Sequence, residues 1–203
     1  MRRLLSGPAI LACSALLACG ALLACGGGDG GGGPIAPPPG PVAAFQCSDS
    51  PPAVDHVALR CGAQVAPDVW RIDVVIGVPT SVTDINGFDF DVVFDPRLLA
   101  FVPGSEQAGN LLGQDGGTVW LLAATATEPD DPGRLVVGIH LSETGGVSGT
   151  PGYEQIMSFQ IKALTATPFG PVVPGFDNKG ASDPSGQTIP GIIFSDQLLL
   201  SVQ

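Results

Sequence analysis

The groups in this sequence able to do chemistry are few and widely spaced. There are two histidines, His56 and His140, each set in an apolar, strand-like run where a structural role outweighs that of a base. Ser148 in Gly146-Val147-Ser148-Gly149-Thr150 approaches the Gly-x-Ser-x-Gly pattern of a nucleophile elbow. Thr150 replaces the second glycine, and the segment is a turn between strands rather than a strand-to-helix turn. The adjacent carboxylates Asp130-Asp131 would need partners converging in a cleft to hydrolyse a glycoside, and they read instead as a solvated turn. The oxygen-rich stretch from Asp177 to Gly186 offers ligands of the type calcium takes. Its spacing is not that of an EF-hand loop, Lys179 opposes a cation, and it reads as a loop. No residue is assigned a catalytic role, and no pattern requires a metal or another cofactor.

One acidic pair is placed differently. Between Ile85 and Phe94, residues Phe88, Phe90, Val92 and Phe94 alternate with Gly87, Asp89, Asp91 and Val93. A strand sends alternate side chains to opposite faces, so the phenylalanines bury one face while Asp89 and Asp91 share the other. Such a face is either solvated or presented to a partner. Aromatic side chains for stacking on sugar rings are scarce: Trp70 lies on an apolar strand face, leaving Trp120 and Tyr153 as carbohydrate-platform candidates.

The elements that must position these residues are strands. The 203 residues include 29 Gly and 20 Pro, which disfavour long helices, yet 44% are hydrophobic, too many for a disordered chain. Strand candidates are 54–61, 69–78, 85–94, 98–102, 118–125, 134–141, 155–164 and 197–202, separated by breaks such as Asp95-Pro96 and Pro151-Gly152. Eight or nine strands in one domain of 54–203 describe an all-β sandwich with immunoglobulin-like layers. Ile139 could join the face of Asp89 or, with Leu135, Val137 and Leu141, belong to the core. Eight Lys+Arg against 19 Asp+Glu, a formal charge of −11, exclude nucleic acid as a partner, because such binding rests on neutralising phosphates.

The N-terminus reads as an address. Arg2 and Arg3 precede an apolar run containing three copies of a six-residue repeat, ending in Cys13, Cys19 and Cys25. Leu22-Leu23-Ala24-Cys25 resembles the lipobox of bacterial lipoproteins, in which the peptide is cut before a cysteine that carries a diacylglyceryl group. The resemblance implies a signal over 1–24 and lipidation of Cys25, with Cys19 as the alternative. It also implies export and a lipid anchor in a bacterial envelope, at the outer membrane or cell surface. Residues 25–53 then hold the lipidated cysteine and a Gly- and Pro-rich tether. In an exported protein the remaining cysteines, Cys47 and Cys61, read as a disulfide, worth about 3 kcal/mol for a loop of this size.

The segment from Gly87 to Phe101, Gly-Phe-Asp-Phe-Asp-Val-Val-Phe-Asp-Pro-Arg-Leu-Leu-Ala-Phe, resembles the signature of cohesin domains. Segments 133–137 and 155–161 agree with later strands of that family in order and spacing. The resemblance implies a jelly-roll β-sandwich, related to bacterial carbohydrate-binding modules, that binds a dockerin through one sheet face. The position matching Asp89 is, in cohesins, an Asp that accepts hydrogen bonds from dockerin hydroxyls; the Asn usual two residues earlier is Gly87 here. The expected partner is thus a dockerin-like protein, engaged through Asp89, Asp91 and Ile139. The alternative is a polysaccharide, engaged through Trp120 and Tyr153.

Overall fold

A computed structural model describes residues 44–78, 84–126, 133–142, 145–147 and 153–203. Among them are thirteen strands and no helix. In chain order these are β1 (Phe45–Ser48), β2 (His56–Ala66), β3 (Val69–Ile76), β4 (Gly87–Val93), β5 (Leu99–Phe101), β6 (Gln107–Ala108) and β7 (Val119–Thr125). They continue with β8 (Arg134–Leu141), β9 (Glu154–Ala163), β10 (Phe169–Val172), β11 (Gly175–Ser182), β12 (Ile193–Ser195) and β13 (Leu199–Val202).

Two principal sheets face each other. One has the order β12-β2-β3-β9-β5, with β6 also pairing β9; the other has the order β11-β4-β8-β7. A small third sheet, β1-β13-β10, joins the domain's first and last described strands. All these pairings are antiparallel except β12 with β2, which is parallel. The alternation of apolar residues explains the layering. Ile72, Val74 and Ile76 of β3 and Phe88, Phe90 and Val92 of β4 are each at most 1% exposed and meet in one core. Removing each such side chain from water contributes roughly 1.5–3 kcal/mol. Phe194 of β12 spans the layers. Its ring lies 5.2 Å from that of Phe176, edge to face, and Phe176 in turn meets Phe90 at 5.4 Å.

The sandwich expected from the strand pattern is present, and each of the eight expected strands overlaps an observed one. Three corrections concern what lies between them. First, a strand, β1, lies ahead of residue 54, where no strand was expected. Phe45 is buried, and β1 pairs with β13 in the register Phe45 to Val202. The Trp70 indole donates a hydrogen bond to the Phe45 carbonyl at 2.9 Å. Second, 175–182 is an edge strand and not a loop, irregular because its pairing with β4 shifts between Asp177 and Gly180. Third, β1, β6, β10 and β12 are strands of two to four residues, too short to show a period. Cys47 and Cys61 form the expected disulfide, with Cα atoms 5.9 Å apart. Every named strand finds its partners between residues 44 and 203, within one compact unit of the chain. The signal, the tether to residue 43, Cys19, Cys25, Asp130-Asp131 and Ser148 lie outside the described residues.

Candidate functional site

The outer face of the β11-β4-β8-β7 sheet is built by register. Asp89 stands opposite Gly138, and Gly138 opposite Leu122. Asp91 stands opposite Val136, which faces Ala124; Gly87 stands opposite His140, which faces Trp120. The inward residues between them, Phe88, Phe90, Val137 and Ile139, are fully buried or nearly so. Trp120 is 69% and Leu122 68% exposed, and Val136 is exposed beside them.

Asp89 and Asp91 share this face but not a role. Asp89 has 63% of its side chain open, and its Oδ1 accepts a hydrogen bond from His140 Nε2 at 3.0 Å. The neighbouring glycines make that arrangement fit. A Cβ built on Gly87 would overlap the His140 imidazole, and one on Gly138 would come within 3.3 Å of Asp89 Oδ1. Asp91 is closed: its side chain is only 8% exposed, and its Oδ2 receives Arg134 Nη1 at 2.7 Å and Asn178 Nδ2 at 2.7 Å. Arg134 also reaches Asp177 Oδ2 at 2.8 Å. That bond, helped by the Asn178 amide, holds the Asp177 carboxyl below its usual 3.8. Asn178 adopts a φ of 43°, a left-handed conformation asparagine tolerates well, where the register of β11 shifts.

Asp89, Trp120, Leu122, Gly138 and His140 line a shallow depression of about 480 Å³ on this face. Ile139 is not part of it. Its side chain is 0% exposed and points into the core, because it alternates in phase with Leu135 and Val137 rather than with His140. Tyr153 is exposed but far from Trp120 in the fold; its ring lies 5.8 Å from the Arg60 guanidinium, on the other sheet. Trp120 and Tyr153 therefore do not form one platform. Sequence reasoning missed His140, Leu122 and Val136 as surface residues, although the alternation of β7 and β8 carried the signal.

The other groups with chemical potential are tied down. His56 Nδ1 and Ser195 Oγ are 2.6 Å apart and link the parallel strands β2 and β12. Asp183 accepts bonds from the Ser185 hydroxyl and the Gln187 amide, which hold its carboxyl below the usual range. Among the described residues no three His, Cys, Asp or Glu side chains gather as a metal site. On the six-stranded sheet Arg60 pairs with Asp49, and Asp73 is held by Arg71 and Gln155, while Val65, Tyr153 and Ile193 are exposed there.

Solved structures share this fold. A type II cohesin from Bacteroides cellulosolvens superposes with a TM-score of 0.54 at 13% identity, over 71% of this chain and 97% of that one. The domain has a cohesin-like fold. The second type II cohesin module of an adaptor scaffoldin from Acetivibrio cellulolyticus gives 0.52 at 14% identity, over 70% of this chain and 86% of its own. A mutant type II cohesin–X–dockerin complex from the same organism gives 0.51 at 14%, over 69% and 93%. No protein-family profile and no curated protein matches the chain. At these identities the likeness is one of fold, and function has to be argued from the face of the cohesin-like domain itself.

Proposed function

We propose that this chain is a non-catalytic binding module, lipid-anchored through Cys25 or Cys19 at a bacterial envelope, that holds a dockerin-like protein on the outer face of β11-β4-β8-β7. One observation carries the reading. This face sets an open hydrogen-bond acceptor, Asp89, beside the exposed apolar side chains Trp120, Leu122 and Val136, whereas Asp49 and Asp73 at the other sheet are largely covered and held by arginines. A protein interface uses that combination: apolar anchors for affinity, and a fixed polar group for orientation. The solved complex of similar fold contains a dockerin, which favours a partner of that class. At Gly87, where cohesins usually carry Asn, the His140 ring takes up the space and orients Asp89. The partner surface is accordingly expected to differ in detail from that of ordinary dockerins. A role in polysaccharide degradation belongs to the same proposal.

The second reading, direct carbohydrate binding, is favoured by one feature only, the exposed Trp120 ring beside Asp89 and His140 in the shallow depression. Immobilised 44–203 domain exposed to native extract separates the two. The first reading expects a protein captured by the wild type and lost with Asp89→Arg. The second expects retention on insoluble polysaccharide, lost with Trp120→Ala and unchanged by Tyr153→Ala.

A further inference from the structure

The two edges of the four-stranded sheet are unlike. The β11 edge is irregular: its register shifts between Asp177 and Gly180, Asn178 is left-handed, and Lys179 is exposed. Features of this kind are how natural sheets block further pairing. The β7 edge has none of them. Its seven residues, Val119 to Thr125, include no charge, Pro or Gly, and they pair with β8 without a register shift.

The hydrogen-bonding parity of β7 shows which groups are open. The amide of Ala126 donates to the Arg134 carbonyl at 2.9 Å, and that of Ser142 to the Thr118 carbonyl at 2.8 Å. Alternation along an antiparallel pair then turns the amides and carbonyls of Trp120, Leu122 and Ala124 toward β8. Those of Val119, Leu121, Ala123 and Thr125 face the edge that no described strand pairs.

We infer that β7 pairs antiparallel with β7 of a second copy of this chain, about a two-fold axis at Leu122. Three observations select that occupant. The register sets large against small, Trp120 opposite Ala124 and Leu121 opposite Ala123, with Leu122 opposite itself. The same register joins the open groups of Val119 with Thr125 and of Leu121 with Ala123, about eight backbone hydrogen bonds in all. Finally, the chain is strongly acidic, with a formal charge of −11, and two copies meet without apposing like charges along a strand that carries none. Pairing also covers Trp120 and Leu122, the two most exposed large hydrophobic side chains among the described residues. Asp89 lies on β4, two strands from the edge, so it stays open in the dimer. Trp120 and Leu122 also serve the partner reading, so a second copy and a partner compete for them; self-association is measured with no partner present, and its failure leaves the partner reading standing.

A single strand pair is smaller than a standard interface of about 800 Å² per partner, so the dimer is a reversible one, formed at tens of micromolar and above. The test is sedimentation equilibrium of the 44–203 domain from about 10 to 500 µM, a range that spans such an affinity. A monomer–dimer equilibrium is expected, weakened at least tenfold by Leu122→Lys with the thermal melt unchanged. Leu122→Cys supplies the one free thiol of this fragment. Directly opposed, non-hydrogen-bonded residues have Cα atoms about 4.5 Å apart, within disulfide reach, so oxidation is expected to give a covalent dimer. Wild-type domain that stays monomeric throughout, a dimer untouched by Leu122→Lys, or a Leu122→Cys variant that does not crosslink would overturn the inference.

Discussion

His140 lies across Gly87 and donates from Nε2 to Asp89 Oδ1 at 3.0 Å, a geometry that only a residue without a side chain at position 87 allows. The most exposed carboxylate of the β4 outer face is thus held by a neighbour on β8 rather than left to rotate in solvent. That relationship yields a test of its own.

Gly87→Ala is expected to destabilise the domain by about 1–3 kcal/mol, the usual range for overpacking, because the new methyl displaces the imidazole. In a His140→Ala background the same change is expected to cost less than about 1 kcal/mol, since the space is then free. Urea denaturation of the four variants measures both numbers. Equal costs in the two backgrounds would mean that the ring does not occupy this space.

Ile139 separates a core role from a surface role. It is 0% exposed, so Ile139→Ala is expected to cost about 2–5 kcal/mol in denaturation while leaving partner capture intact below the melting point. Loss of capture at unchanged stability would return Ile139 to the interface.

The fold was legible in the sequence wherever strands were long enough to alternate. Phe88, Phe90 and Val92 against Asp89 and Asp91 fixed both faces of β4, and Val69 to Ile76 did the same for β3. It was illegible where strands are short or bulged. Phe45 to Ser48 follows a proline-rich tract and makes a strand only because β13 returns to pair with it. Gly175 to Ser182 has the composition of a loop and is a strand because β4 offers its edge. The site followed the same rule. Asp89 and Trp120 could be placed on outer surfaces by alternation, but the burial of Asp91 under Arg134 and Asn178 depends on cross-strand partners 43 and 87 residues away.

The disulfide joins β1 to β2 across a sequence separation of 14. Cys47→Ser with Cys61→Ser is expected to lose about 3 kcal/mol, the value for a loop of this size. For a domain of this length that lowers the melting temperature by on the order of 10 °C. Calorimetry of the double variant measures it, and an unchanged melt would show that β1 is held by β13 and Trp70 alone.

The edge of β11 should respond to acid. The Arg134 bond to Asp177, followed by the Asn178 amide, lowers the Asp177 carboxyl below 3.8 in the folded state. A carboxyl depressed by folding stabilises the native state above its unfolded value and loses that contribution as pH falls through the folded one. Wild type is therefore expected to exceed Asp177→Asn in stability at pH 5 and above, and the gap to close below about pH 4, near the unfolded value. Denaturation at pH 3 and pH 5 reads it; a gap that widens toward low pH would reverse the sign and refute the pairing.

The central claim concerns the open face of β4 and β8, and one measurement reaches it most directly. The 44–203 domain and its Asp89→Arg variant are immobilised side by side, and protein captured from native extract is compared together with the two thermal melts. A specific protein held by the wild type, lost with Asp89→Arg, and accompanied by matching melts is the predicted result. Equal capture by both domains would contradict the assignment of this face.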